Sequence, residues 1–427
     1  METNRQETIP QGYKATALGV IPQEWEIMSL SKAFRVQSGY AFKSERFTTE
    51  CGIPVIRISN LPIDNKYVDL SDCVYYPPSE NIKQQFIVHQ KDLLIAMSGA
   101  TTGKTAIYNY FSNAFLNQRV GVFRQISDQI CCQYLQAIVE SHLFMTRLQP
   151  LLIAGAQPNI SPGDIESMIF PVPPLGEQRK IAEVLGVWDL AIAKQVQLVE
   201  RLTERKRALM QRLLTAKLRL PGFSAPWKKV KLGEIGNTYN GLSGKNKDDF
   251  EQGNAQFIPY INVFSNERID TNNLGCVQIE PNEQQNAVKY GDIFFTVSSE
   301  TPDEVGMASV LLERIDNTYL NSFCFGYRLD NFSTLNPFFA AYLFRSEHFR
   351  NCMFVLSQGS TRFNISKKEV MKLKIDLPTI DEQTAIAEVL TAADREIELA
   401  QAKLELYRRQ KRGLMQQLLT GKKRVTY

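Results

Sequence analysis

EQRKIAEVLGVWDLAIAKQVQLVERLTERKRALMQRLLT, residues 177–215, returns 205 positions later as EQTAIAEVLTAADREIELAQAKLELYRRQKRGLMQQLLT, residues 382–420, with 18 of 39 positions identical and no gap. The likeness continues upstream. AGAQPNIS (154–161) and GSTRFNIS (359–366) hold the same place before each copy, Trp25 and Leu30 match Trp227 and Leu232, and Leu116 and Asn117 match Leu320 and Asn321. Two similar domains therefore precede two similar helices, which predicts internal two-fold symmetry. Between these anchors the halves diverge almost completely, as expected if the ends of each unit hold an architecture and the middles carry different specificities.

In the second copy Ile386, Leu390, Ala393, Ile397, Ala400, Leu404, Tyr407, Lys411, Leu414 and Leu418 alternate steps of four and three, the spacing of a coiled-coil seam. The first copy repeats it with Ile181, Leu185, Trp188, Ile192, Gln195, Val199, Leu202, Lys206, Leu209 and Leu213, including a lysine at the same interrupted position. Each helix follows a proline-rich entry, PVPPLGEQ (171–178) or DLPTIDEQ (376–383), with acids in its first turns and bases in its last, as the helix dipole favours. Part of the basic character of RLTERKR and YRRQKR thus needs no ligand. Forty-odd residues at 1.5 Å each span roughly 60 Å, the length of a spacer. One helix joins the globular units and the other closes the chain, so the economical arrangement packs them antiparallel, seam to seam. A parallel or intermolecular pairing is the alternative.

The fold class expected is α+β: two β-rich mixed α/β domains, 1–172 and 221–376, alternating with helical segments 173–220 and 377–427. Strand-like stretches are 52–61, 90–99 and 114–124 in the first domain, and 256–266, 291–299 and 319–329 in the second. An apolar helical stretch follows in each, 131–152 and 336–356.

The composition, 44 % hydrophobic and 22 % charged over 427 residues, is that of an ordinary globular protein, and the net charge of +4 permits a nucleic-acid partner without demanding one. No run of about 18 apolar residues occurs, and METNRQETIPQGYK lacks an apolar signal stretch, so a cytoplasmic location is expected. Seven cysteines form no CxxC, and His89, His142 and His348 lack metal-type spacing, so neither disulfides nor a metal site are expected. The loop Gly99-Ala-Thr-Thr-Gly103-Lys104-Thr105 imitates a phosphate-binding loop but has three residues between its glycines instead of four, and no clear helix follows. YYPPSE (75–80) lacks the acidic or amide residue that a methyltransferase places before its prolines. The chain reads as a recognition protein without chemistry of its own.

The ordered recurrence of Gln157-Pro158-Asn159-Ile160-Ser161, the paired EQ-x-x-IA helix starts at Glu177 and Glu382, and the GATTGK loop at 99–104 closely resembles the specificity (S) subunit of type I restriction-modification enzymes, over nearly the whole chain. The resemblance implies that each variable domain is a target recognition domain reading one half of a split, asymmetric double-stranded DNA sequence. It implies helices that set the half-site spacing and dock two methyltransferase (M) subunits, with restriction/translocase (R) subunits in the full complex. S-adenosylmethionine, ATP and magnesium would bind those partners, leaving this chain without cofactor or catalytic residue. Two readers on one duplex face stand about a helical turn apart, roughly 34 Å, for which a coiled coil is a suitable ruler.

Base discrimination needs paired donors and acceptors on loops and strand ends. The candidates are Arg57, Ser59, Asn60, Thr101, Thr102, Lys104, Asn117, Gln118, Arg119, Gln157 and Asn159 in the first half. In the second they are Asn262, Ser298, Ser299, Glu300, Asn321, Ser322, Arg362 and Asn364. Asn60, Asn117, Asn159 and Asn364 also suit plain structural roles in turns, caps or strand edges. Two other classes compete: a coiled-coil protein-interaction scaffold that touches no DNA, and an enzyme using the 99–105 loop.

Overall fold

In the computed structural model, which describes residues 9–62, 66–78, 82–153, 159–359 and 362–426, the repeated segments are helices, Leu175–Leu213 of 39 residues and Ile380–Leu419 of 40. The Glu-Gln pair opening each repeat is buried in the first turn of its helix. Gln178 accepts from the Cys131 amide at 2.9 Å and donates to the Gln129 and Pro173 carbonyls. Gln383 does the same with the Asn336 amide and the Thr334 and Pro378 carbonyls. Glu177 accepts from Trp25 Nε1 at 2.9 Å and from the Arg424 guanidinium at 2.6 and 2.9 Å. Glu382 is gripped by Arg219 at 2.6 and 2.8 Å. A charged and a polar group with almost no exposure persist in a core only when hydrogen-bonded in this way.

The chain divides into two compact units, Met1–Gln195 with Lys403–Tyr427, and Val196–Ala402, so each unit contains part of both long helices. In the first, Ile181 and Leu185 share a core with Met415 and Leu418, while Trp188 meets Tyr407 edge-on, ring centroids 5.8 Å apart. In the second, Leu213 shares a core with Ile386 and Leu390, Lys206 Nζ lies 2.7 Å from Asp394, and Arg205 pairs with Glu396. In each unit the partners run in opposing order along the two helices. Every seam position is at least half-buried, including Ile192, Leu202, Leu209, Ile397, Leu404 and Leu414.

The lysine that interrupts each seam is not spent between apolar neighbours. Lys206 binds Glu267 at 2.9 Å as well as Asp394, and Lys411 binds Glu140 and Asp189. Burial works against the charge on both lysines, but the carboxylates outweigh it and raise their pKa values. Each break therefore ties the helix to its globular domain.

Those domains are built alike. An antiparallel sheet has the order Phe34–Ser38, Val120–Gln125, Leu93–Ala96, Thr105–Ile107 in the first unit, and Gly236–Asn240, Cys324–Leu329, Ile293–Thr296, Ala308–Val310 in the second. Beside it lies a mixed sheet with one parallel pair, Ile53–Ile56 with Ala114–Leu116, or Ala255–Ile258 with Thr318–Leu320. Acid–arginine pairs recur as Asp92 with Arg124 and Asp292 with Arg328. A two-stranded ribbon joins the entry of each domain to its exit, Glu26–Ser29 with Ile169–Val172 and Lys228–Lys231 with Lys374–Leu377.

Five strand-like stretches are corrected, of which 52–61 ends its strand at Ile56 and turns over Ile58–Asn60, and 291–299 is two strands, Ile293–Thr296 and Ser298–Ser299. Residues 114–124 and 319–329 each form two strands, separated by the turn that carries Asn117 or Asn321. Residues 256–266 end their strand at Ile258, and Pro259 then caps a helix, Tyr260–Ser265. Each apolar helical stretch is likewise two helices, Cys132–Val139 and His142–Ile153, or Pro337–Leu343 and Glu347–Leu356. The break falls at a buried serine, Ser141 or Ser346. Ser346 accepts from the Phe349 amide, so a local cap competes successfully with helix continuation.

Arg219→Ala leaves Glu382 buried and without its cation, which is expected to cost about 3 kcal/mol, the lower end for a broken buried pair because Arg219 keeps some exposure. Urea denaturation of the variant against wild type measures it.

Candidate nucleic-acid interface

Three segments meet at the same place in each domain. The first is the turn between the split strands, where Asn117 Oδ1 accepts from the Arg119 amide at 3.3 Å and Asn321 Oδ1 from the Phe323 amide at 2.7 Å. A glycine passes against each turn: a Cβ on Gly39 would stand 2.2 Å from the Leu116 carbonyl, and one on Gly241 2.0 Å from that of Asn321. The second segment follows the central strand, with Met97 N donating to Arg119 O and Val297 N to Phe323 O. The third is the domain exit, where Ile160 N reaches Met97 O at 2.9 Å and Ile365 N reaches Val297 O at 3.0 Å. Ser98 bridges to Asn159, and Ser298 to Asn364, which explains why the PNIS and FNIS phrases recur.

Open cavities lie on this frame. In the first unit, Met97, Ser98, Gly99, Ala100, Gln118, Arg119, Asn159 and Ile160 enclose about 730 Å³, and the Ser98 hydroxyl is buried there without a partner among the described residues. In the second, Tyr260, Phe264, Ser298, Ser299, Glu300, Glu304, Phe323 and Arg362 enclose about 390 Å³. Gln118, Arg119 and Asn159, and Ser298, Ser299, Glu300 and Arg362, were candidates from the sequence. Tyr260, Phe264, Glu304 and Phe323 were not; the match of the Asn117 and Asn321 turns placed Phe323 opposite Arg119, a signal available in the chain.

Other candidates have different work. Asn60, Asn262 and Asn321 are buried, with their amides consumed by backbone: Asn60 by the Asp69 carbonyl, Asn262 by those of Asp270 and Asn273, and Asn321 by that of Ile258. A base cannot reach them, so they are scaffold. Thr102 is buried and its hydroxyl donates to Gly99 O at 2.6 Å. The Thr101 hydroxyl and Arg57 Nε are buried without a partner among the described residues, while Arg57 Nη2 reaches the Asp72 carbonyl. Ser59 is exposed on the turn Ile58–Asn60, Ser322 is exposed between Asn321 and Phe323, and Lys104 is half-buried outside the cavity lining. Gln157 lies outside the described residues.

The 99–105 loop is a β-hairpin connection. Gly103 N donates to Ala96 O and Ala96 N to Lys104 O, both at 2.8 Å, and the strand Thr105–Ile107 follows where a nucleotide-binding loop needs a helix. Gly99 and Gly103 have φ of +79° and +86°, which favours glycine there.

The repeat of the frame coincides with a repeated match to one family. The model of the type I restriction modification DNA specificity domain matches residues 22–203 and again 225–406, and the chain belongs to that family. It is 27 % identical over 449 residues to the putative type I restriction enzyme MjaX specificity subunit of Methanocaldococcus jannaschii, covering 97 % of each. In fold it is similar to a chain from work on complex assembly and conformational transition of the type I R-M system, with TM-score 0.62, 16 % identity, and coverage of 94 % of this chain and 99 % of that one. It is also similar to the type I restriction-modification S subunit from M. genitalium, with TM-score 0.52, 16 % identity, and coverage of 92 % and 96 %. Among the described residues no helix is long and apolar enough to cross a membrane.

Asn262→Ala strands backbone carbonyls of the 270–273 turn, so a loss of about 1–3 kcal/mol in stability is expected, with sequence preference for DNA unchanged in the folded fraction. Thermal unfolding and a competition assay with different duplexes separate the two effects.

Proposed function

We propose that this chain is the DNA-recognition subunit of a type I restriction-modification complex, each globular unit reading one half of a bipartite, asymmetric target. The observation that carries this reading is a pair of open cavities on one repeated backbone frame, lined by different side chains. A shared frame presents each lining to the duplex in the same way, and unlike linings select unlike half-sites. Arg119, Gln118 and Asn159 offer the fork and amide groups that pair with guanine and adenine edges.

The long helices set the half-site spacing as an antiparallel coiled coil. The internal repeat, the buried seam and the opposing order of contacts within each unit support this. The helices also dock two methyltransferase subunits, with restriction subunits joining the full complex. S-adenosylmethionine, ATP and magnesium bind those partners, in the cytoplasm, and this chain is not itself an enzyme. A protein scaffold that never touches DNA accounts for the helices but leaves the two differently lined cavities without a role.

Co-expression with its methyltransferase partner in a methylation-free host, followed by single-molecule sequencing, is expected to reveal adenine methylation in a bipartite asymmetric motif with a fixed spacer. A stable complex that adds no methylation and binds no duplex would favour the scaffold. Arg119→Ala and Lys104→Ala are each expected to weaken duplex binding, and the slope of log affinity against log salt falls by about 0.9 for each phosphate that the variant no longer neutralises.

A further inference from the structure

At the position where the first unit presents Arg119, the same frame in the second presents Phe323, 64 % exposed. Beyond the central strand the second unit carries Glu300 and Glu304, where the first has a small glycine-containing loop. Glu304 is held in place: it accepts from the Thr301 hydroxyl at 2.9 Å and the Ser299 hydroxyl at 3.2 Å. Both hydroxyls bond Oε2, and since a carboxylate has about four acceptor sites, Glu304 keeps acceptor capacity on Oε1 while lining the cavity. The lining also holds Arg362 and an aromatic pair, Tyr260 and Phe264, which is fixed. Tyr260 spends its hydroxyl on the Ser298 carbonyl at 3.0 Å and stacks on Phe264, while Arg345 holds their helix by the Val263, Phe264 and Asn266 carbonyls at 2.7 to 2.9 Å.

A carboxylate is repelled by phosphates, so on a DNA-reading surface it belongs where a base offers a donor. In the major groove the cytosine edge offers only its N4 amino group, whereas adenine sets an acceptor beside its amino group and guanine presents two acceptors. An acceptor-only side chain therefore selects cytosine. Phe323, with no polar atom in its side chain, suits an adjoining apolar edge such as a thymine methyl. Resting on the function proposed above, we infer that Glu304 makes the second unit specific for a C·G pair, with Phe323 packed on the neighbouring base.

The test is selection of bound duplexes from a library randomised across the target, by the full chain in complex with its methyltransferase subunits. Wild type is expected to enrich a motif with a fixed C·G pair in one half. E304Q, whose amide both donates and accepts, is expected to lower the C·G preference at that pair by about tenfold or more and to admit A·T, leaving the other half unchanged. F323R, which installs the first unit's residue on the same turn, is expected to add guanine preference in the same half and steepen the salt dependence. A motif whose E304Q-sensitive position is not C·G, or one that E304Q leaves untouched, overturns the assignment of Glu304 while the DNA-recognition reading stands. If E304Q does not assemble, the wild-type complex decides: replacing that cytosine by N4-methylcytosine, whose remaining amino hydrogen is used in pairing, is expected to lower affinity about tenfold, and unchanged affinity overturns the assignment. Enrichment of no motif at all overturns both readings.

Discussion

The structure depends on the burial of a glutamate and a glutamine at the start of each long helix. Neither side chain can enter a core unless its polar atoms are met, and together they dictate what must surround them. Gln178 and Gln383 draw in the loop before the first domain helix and the carbonyl of the proline entry. Glu177 and Glu382 require an arginine from the segment that follows the other long helix, Arg424 or Arg219. One dipeptide thus joins a domain, its exit and the end of the opposing helix in each unit. The two copies are not equivalent: Trp25 donates to Glu177, whereas Trp227 has its ring beneath Arg219, with Nε1 buried and unpartnered among the described residues.

A second consequence follows from how the variable domains are closed. The turns at Asn117 and Asn321, the glycines that pass against them, and the exit phrases at Ile160 and Ile365 are held by backbone hydrogen bonds that do not depend on the exposed side chains around them. Side chains on the cavity side can therefore change without disturbing the frame. Arg119 and Phe323 occupy the same place with opposite chemistry, which is the physical form of a module that keeps its fold while altering what it reads. The buried Glu-Gln pairs and the turn asparagines are repeated between the halves and support the frame, whereas Arg119 and Phe323 differ and are exposed.

The repeat at 177–215 and 382–420 determined the helices, their seam and the presence of two similar domains, because heptad spacing and duplication are local properties written directly in the order of residues. Candidates such as Arg119, Gln118, Asn159 and Glu300 were legible for the same reason: polar residues beside strand ends and turns. Asn60, Asn262 and Asn321 looked identical in sequence, yet tertiary packing buried them, and only the positions of distant carbonyls decide whether an amide is scaffold or free. The helix Tyr260–Ser265 was hidden by its strand-like composition until Pro259 capped it and Arg345, from a helix pair eighty residues away, held its carbonyls. The cavity at Phe323 joins segments far apart in the chain, and their convergence is fixed by long-range hydrogen bonds and core packing that no local pattern encodes.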